Sequence, residues 1–387
     1  MAWRIPWRES GSWLVGDTHM HYRNVGLDRL AAESARHCDF IAVTSHAHRT
    51  DFFSAQAELI ARAREAMPEL VIINGVEWNP PIGNHASVLA PGGPDAMPVL
   101  EGLVSRFDRR AAGAEDETAF FEALDFLADA GGTDYVRPTV ILNHPCKSPV
   151  FGVEGLRRGM ARGPALVGFS GGGGHSAQPA LGGDGPANEW VAVVGGVYDS
   201  LLAETDAPRP VMIADSDFHT HVADGGADFW PGEFARSFIF CPERSEEGVF
   251  AGLRSGASYF ILGPLLDSLE FNVRCEGHDA MLGECLDAQA DGSVEVRLAM
   301  KGAEAVQGVE LIGNPRGQAE VVARAAGREL ERSGRDAVWQ CEIPLGSRGF
   351  QIRARGYGTA LKPVVDKAGV MWFYTSAVRV GPAGAEG

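Results

Sequence analysis

Over the first two thirds of the chain, short apolar β-branched runs alternate with stretches of helical spacing. Trp13–Asp17, Phe40–Thr44, Leu70–Asn74, Ala86–Leu89, Thr139–Leu142, Ala165–Phe169, Pro210–Ala214 and Phe238–Phe240 have the length and composition of strands. Between them, Leu27–Cys38, Phe53–Met67, Thr118–Ala130, Asn188–Ala203 and Ser245–Ser255 carry apolar residues at helical intervals. This alternation predicts parallel strands joined by crossover helices, as a barrel or an open sheet. It stops near Pro264. Beyond it, Val294–Met300 and Phe350–Arg355 alternate apolar and polar residues with period two, and Val309–Ile312 and Val370–Val380 are also strand-like. The second part therefore reads as an antiparallel β-sandwich. The expected division is 1–263 and 264–387. Ser170–Pro186, rich in glycine, reads as a loop.

Charge and cysteine narrow the function classes. The formal net charge is -17 over 387 residues. Such a balance argues against a general nucleic-acid binder or a binder of anionic membranes, both of which need basic surface. No run reaches the ~18 apolar residues of a membrane span. The N-terminus lacks the apolar core of a signal peptide. Cys38, Cys146, Cys241, Cys275, Cys285 and Cys341 form no CxxC pair and read as free thiols of a reducing compartment. A cytoplasmic enzyme is the resulting expectation.

The polar residues carry the chemistry. Asp17-Thr-His19-Met-His21 follows the first strand, Ser45-His46-Ala-His48 the second and Glu77 the third. His85 opens the fourth, Asn143-His144-Pro145 follows the fifth, and Asp215-Ser-Asp217-Phe-His219 follows Pro210–Ala214. In parallel β/α folds, sites are built at the C-terminal ends of strands. In extended backbone, residues two apart share a face, so His19 with His21, and Asp217 with His219, can each address one ion. Glu77 can bridge two ions with its two oxygens. A donor set of imidazole and carboxylate without thiolate suits zinc, manganese or iron. Gly171–Gly174 lacks the pattern of a nucleotide-binding P-loop. Ser45 has no GxSxG elbow around it.

In this order the motifs resemble those of the PHP (polymerase and histidinol phosphatase) superfamily of metallohydrolases. The correspondence runs through Asp17-Thr-His-Met-His21, Thr44-Ser-His46, Gly75-Val-Glu77, Asn84-His85, His144-Pro145 and Ser216-Asp-Phe-His219. The resemblance implies a distorted (β/α)7 barrel and two or three divalent ions. By it, His19, His21, Glu77 and Asp217 would hold the first ion, Glu77, His85 and His144 the second, and His46 with His219 a third. Two positions depart from the family pattern. Ser45 stands where the family has Asp. Gly26 stands where many members carry a further ligand of the third ion, with Asn24, Asp28 or His48 as candidate substitutes. The segment Arg254–Tyr259 and the following Leu262–Phe271 resemble the branch with a C-terminal β-sandwich, which includes carbaryl-hydrolase-like enzymes.

The implied reaction is hydrolysis by a metal-bound hydroxide. The expected substrate is a small anionic phosphate mono- or diester, drawn to the ions rather than to the acidic surface. A carbamate, ester or amide is the alternative on the same ions, and a non-catalytic metal-binding scaffold is a further class. His175, in the glycine-rich loop, is a candidate general acid, with His48 and His221 behind it. Arg49 and Lys147 are candidate grips on a phosphoryl oxygen. Asp17 is expected to orient a ligand histidine, ahead of Asp215. His219 is counted with the catalytic residues as well as the ligands.

Overall fold

The computed structural model describes residues 3–46, 52–92, 96–109, 116–145, 152–173, 189–203, 209–221, 229–288, 292–315, 317–345, 350–359 and 370–382. The fold is mixed α/β. Nine strands precede Pro264: β1 (Ser12–Asp17), β2 (Phe40–Val43), β3 (Val71–Trp78), β4 (His85–Ala90), β5 (Thr139–Asn143), β6 (Leu166–Gly173), β7 (Val211–Asp215), β8 (Ala235–Cys241) and β9 (Ser258–Leu262). The helices are α1 (Leu27–Ser34), α2 (Phe52–Ala66), α3 (Ala96–Phe107), α4 (Glu117–Asp129), α5 (Val153–Arg162), α6 (Glu189–Ala192), α7 (Val197–Ala203) and α8 (Glu246–Ser255).

The helices follow their local chemistry. The Asp116 carboxylate caps α4 by accepting from Thr118 and Ala119 N–H, and the Ser245 hydroxyl caps α8 by accepting from Gly248 N–H. Helix α8 ends at Gly256, which adopts φ +71° as a C-terminal cap requires. The single helix expected over Asn188–Ala203 is two short ones, because Gly195 turns left-handed at φ +82° between them. Helices α3 and α5 have no counterpart in the sequence reading.

The strands form a mixed sheet rather than the all-parallel array of a regular (β/α)7 barrel. β1, β2 and β3 run parallel, as do β5, β6 and β7. β4 lies antiparallel to both β3 and β5. The physical reason is the connection: only residues 79–84 separate β3 from β4, too few for a crossover, which needs a dozen or more. β8 is antiparallel to β1, and β9 to β8. The far end, β7, meets β8 and β9 through serine side chains. Ala214 N–H donates to Ser237 Oγ (2.8 Å), Ser237 Oγ donates to Ala214 O (2.5 Å), and Met212 N–H donates to Ser258 Oγ (3.2 Å).

The remaining strands are β10 (Ser268–Cys275), β11 (His278–Met281), β12 (Cys285–Ala288), β13 (Ser293–Lys301), β14 (Val306–Gly313), β15 (Glu320–Ala326), β16 (Glu331–Ser333), β17 (Asp336–Pro344), β18 (Phe350–Thr359), β19 (Val370–Thr375) and β20 (Val378–Pro382). β10, β11, β13, β16 and β17 make a five-stranded sheet. The others continue the first sheet across Gly263, since β19 pairs with β9. Between the two layers lies an apolar core that includes Phe271, Leu298, Leu311, Ile352 and Phe373. Alternate residues of β10 and β13 face it, and for β13 this is the half-buried pattern read from the sequence. A separate core, with Phe120, Phe169, Trp190 and Phe218, lies between the helices and the N-terminal strands. Among the described residues, Cys38, Cys241, Cys275, Cys285 and Cys341 form no disulfide.

Candidate metal centre

The polar motifs converge because each sits where its strand ends. His21 N–H donates to Phe218 O (2.8 Å), joining the loop after β1 to that after β7. Tyr22 N–H donates to Ser45 Oγ (3.3 Å), and Glu77 N–H to Ser45 O (3.4 Å). Ser45 thus ties three neighbouring segments together through its hydroxyl and carbonyl.

Glu77 is the hub. Its carboxylate is almost fully buried, and five imidazoles surround it. His85 Nδ1 lies 2.7 Å from Oε1, His46 Nδ1 2.8 Å from Oε2, and His19 Nε2 3.0 Å from Oε1. His21 Nε2 stands 3.3 Å from Oε2, and His144 Nε2 3.8 Å from Oε1. Asp217 Oδ1 lies 3.3 Å from His21 Nε2 and 3.4 Å from His19 Nε2. The His219 ring packs against His21 with centroids 3.9 Å apart and planes tilted by 31°, and its Nδ1 is 2.8 Å from Asp217 O. Among the described residues, three sets bring their donor atoms within 4.8 Å of one another: His19, His21 and Asp217; His46, Glu77 and His85; and His21, His46 and His219. His46 therefore groups with Glu77 and His85 as well as with His219, and His144 stands at the edge of the cluster.

The donors fit divalent cations on their own chemistry. His19 Nε2, His21 Nε2 and Glu77 Oε2 are buried without a hydrogen bond. Such atoms are costly to bury unless something compensates them. Burial disfavours charge on Glu77, yet His19 and the contacts with His144 and His46 hold its carboxyl far below the ordinary range. Burial also opposes a proton on His19, but Asp217 and Glu77 outweigh it and lift that imidazole well above its usual value. His21 is pushed down to about 4 by burial, against the pull of Asp217. A cation among these groups would replace the His19 proton and meet the carboxylates directly.

The supporting residues differ from the expected ones. Asp17 does not face a ring: Oδ1 accepts from His19 N–H and Oδ2 from Ser216 N–H, each at 2.9 Å. It clamps the two loops, and burial with the Asp215 charge pushes its carboxyl up to about 7. Asp215 instead meets the His19 ring, with Oδ1 3.4 Å from Nδ1. The order of the two aspartates is thus the reverse of the sequence expectation. Asn143 is a residue the sequence reading passed over. Its Oδ1 accepts from Ser87 N–H and Oγ, and its Nδ2 points to Glu77 Oε1 at 3.5 Å. Its signal was available as the residue before His144. Two of the cluster residues adopt left-handed backbone, His144 at φ +30° and Asp217 at φ +47°. That conformation costs a non-glycine residue about 1–2 kcal/mol and persists only where surrounding structure imposes it.

Asn24, a candidate substitute at the third site, donates its amide to Thr220 Oγ1 (2.9 Å), next to His219. Asp28 is exposed on α1. His221 is stacked on Trp230 and 3.3 Å from Glu233, away from the Glu77 hub. His48, Arg49, Lys147 and His175 lie outside the described residues.

No family model and no curated protein sequence matches the chain. Solved structures similar in fold include a two-domain protein from Bacteroides vulgatus ATCC 8482 that contains a predicted PHP-like metal-dependent phosphoesterase. It is 14% identical over 97% of both chains, with a TM-score of 0.43. PsfC from Pseudomonas syringae PB-5123 is 17% identical, covering 61% of this chain and 85% of its own, with a TM-score of 0.37. Endonuclease Q, in complex with a 27-mer duplex carrying an abasic lesion, is 10% identical over 73% of this chain and 62% of its own, with a TM-score of 0.34. The expected exclusion of nucleic acid does not stand, because it rested on net charge alone. Net charge sums over a whole surface, whereas binding follows the local field of one face or cleft.

Proposed function

We propose that this protein is a metal-dependent hydrolase acting on phosphate esters. The observation that supports this reading is the burial of Glu77 among five imidazoles with Asp217 beside them. A carboxylate needed only for packing or solubility has no use for so many nitrogen donors. His19, His21, Glu77 and Asp217 would hold one cation, and Glu77, His46, His85 and His144 a neighbouring one, with His219 at the open side of His21. Bound divalent cations would bring the pKa of a water toward ~7 and polarise the ester.

The chain's own residues supply position. Asp215 orients the His19 ring, Asn143 holds Glu77, and Asp17 locks the two loops that carry His19 and Asp217. This second layer fixes donor directions before substrate arrives, so little reorganisation remains for the reaction. In this reading residues 1–263 form the hydrolase unit and 264–387 the appended sheet unit.

The substrate panel should contain p-nitrophenyl phosphate, bis-p-nitrophenyl phosphate, a naphthyl carbamate and an abasic duplex, each with zinc, manganese or iron(II). A preference in kcat/KM for the small phosphate mono- or diester supports the reading. A large preference for the carbamate would move the same site to carbonyl chemistry, and one for the duplex would make it a nuclease.

A further inference from the structure

Beside the histidine cluster lies a half-open cleft, about 270 Å³ with the solvent at its mouth included, whose lining combines His85, Asn84 and Asn143 with Ile82, Leu142, Pro145 and Trp190. The apolar wall is unusual next to so polar a centre. Trp190 is its largest member, and it sits on α6, a helix of only four residues. One helical turn has no stability of its own in water, because nucleation costs more than its few bonds return. Something outside α6 must hold it.

That support comes from β18, in the C-terminal part of the chain. Arg353 and Arg355 are two residues apart and so face the same side of the strand. Arg353 Nη2 donates to Val191 O (3.2 Å), and Arg355 Nη1 to Ala192 O (2.5 Å). These are carbonyls at the C-terminal end of α6, where a helix leaves acceptors unpaired and favours positive charge. Each arginine is itself fixed. Arg353 is fully buried and grips Asp199 of α7 through Nε (2.6 Å) and Nη2 (2.9 Å), and Asp199 in turn accepts from Gly195 N–H (2.8 Å). Arg355 donates through Nε to Glu310 Oε2 of β14 (2.8 Å). The Trp190 indole meets the Phe169 ring edge-on at 5.2 Å, which completes the bracket.

We infer that Arg353 and Arg355 are positioning residues that set Trp190 as the wall of the substrate cleft. The C-terminal sheet is thereby a specificity element for esters carrying an aromatic or bulky apolar group. The inference rests on the hydrolase reading for its substrate class, but the bracket and the cleft can be tested without turnover.

The experiment compares wild type, Trp190→Ala, Arg355→Ala and Arg355→Lys, all metal-loaded. Binding of 1-naphthylphosphonate is measured by calorimetry, hydrolysis of 1-naphthyl phosphate and methyl phosphate by phosphate release, and protection of residues 189–203 by hydrogen exchange. Trp190→Ala and Arg355→Ala should each weaken naphthylphosphonate binding about tenfold and raise KM for the naphthyl ester alike. Metal content should stay near wild type in both, and in each variant the loss on the naphthyl ester should clearly exceed that on the methyl ester. Arg355→Ala should also speed exchange in 189–203, and Arg355→Lys should recover part of both effects by restoring one charged donor. Equal losses on both esters, or unchanged exchange and unchanged naphthylphosphonate binding, would overturn the inference. Wild type that binds the phosphonate tightly but cleaves neither ester would instead overturn the hydrolase reading and leave the bracket standing. Wild type that does not bind the phosphonate overturns the proposed specificity.

Discussion

At the residue scale, the centre is organised by which donor each side chain offers and what holds it. Asp17 and Asp215 are both buried carboxylates within one short region, yet they serve different partners. Asp215→Asn removes the negative charge facing His19 Nδ1 and should weaken metal binding about 10–100-fold, read by competition with a chelating dye. Asp17→Asn keeps one acceptor for two backbone donors and should cost about 1–3 kcal/mol of stability in urea unfolding, with a smaller effect on metal. Equal metal loss in both variants would contradict the assignment. The charge state of His19 gives a pH prediction. Its pKa is raised in the metal-free protein, so near neutral pH it carries a proton that a cation must displace. Metal binding should release protons, measurable as a buffer-dependent binding enthalpy, and affinity should fall as pH falls. An affinity independent of pH between 8 and 6 would count against His19 as a ligand.

The residues that cluster around Glu77 stood out in the sequence because all but His85, which opens a strand, lie just after an apolar β-branched run, a position that needs no tertiary information to recognise. How they group within the cluster was not legible. His46 meets Glu77 because the loop after β2 bridges to β3 at residues 46 and 77, a pairing that depends on how two loops curl. The roles of the two aspartates were also hidden. Asp17 precedes the HxH and Asp215 precedes the DxH, and sequence spacing does not say which carboxylate turns toward the ring.

At the scale of elements, the parallel order of β1–β3 and β5–β7 followed from the alternation of strand and helix, whereas the reversed β4 did not. Glu77 and His85 bound a short link through Pro80 and Pro81, and its length excludes a crossover. The link was visible, but reading the chain as uniform β/α repeats ignored it. The return of β7 to β8 and β9 was equally hidden, since it is made by serine side chains rather than by a backbone ladder. Ser237→Ala should therefore leave Ala214 N–H without its buried acceptor and lower stability by about 1–3 kcal/mol in urea unfolding. No loss would show that the strands close by packing alone.

For the whole molecule, the described residues after Pro264 are almost all strand and turn, and the sheet runs on across that point. β9 pairs with β19, and Phe238, Tyr259 and Ile261 from the N-terminal strands lie in the core shared with the C-terminal sheets. A chain ending after Gly263 would expose that apolar face and the edge of β9. Such a truncated chain should aggregate or fail to unfold cooperatively. A soluble, cooperatively folded 1–263 fragment would mean that the sheet continuity is unimportant. Among the described residues, no helix is long and apolar enough to cross a membrane. The acidic composition retains one consequence. In a chain of net charge -17, anionic substrate must be drawn by a local positive field, and the cluster around Glu77 is where cations would create it.

That claim is tested most directly by elemental analysis of the protein purified without chelator, beside Glu77→Ala prepared in the same way. The account predicts about two or more divalent ions per chain in wild type and less than half that content in the variant. Less than about one ion per chain in wild type, or the same content in both proteins, would contradict it.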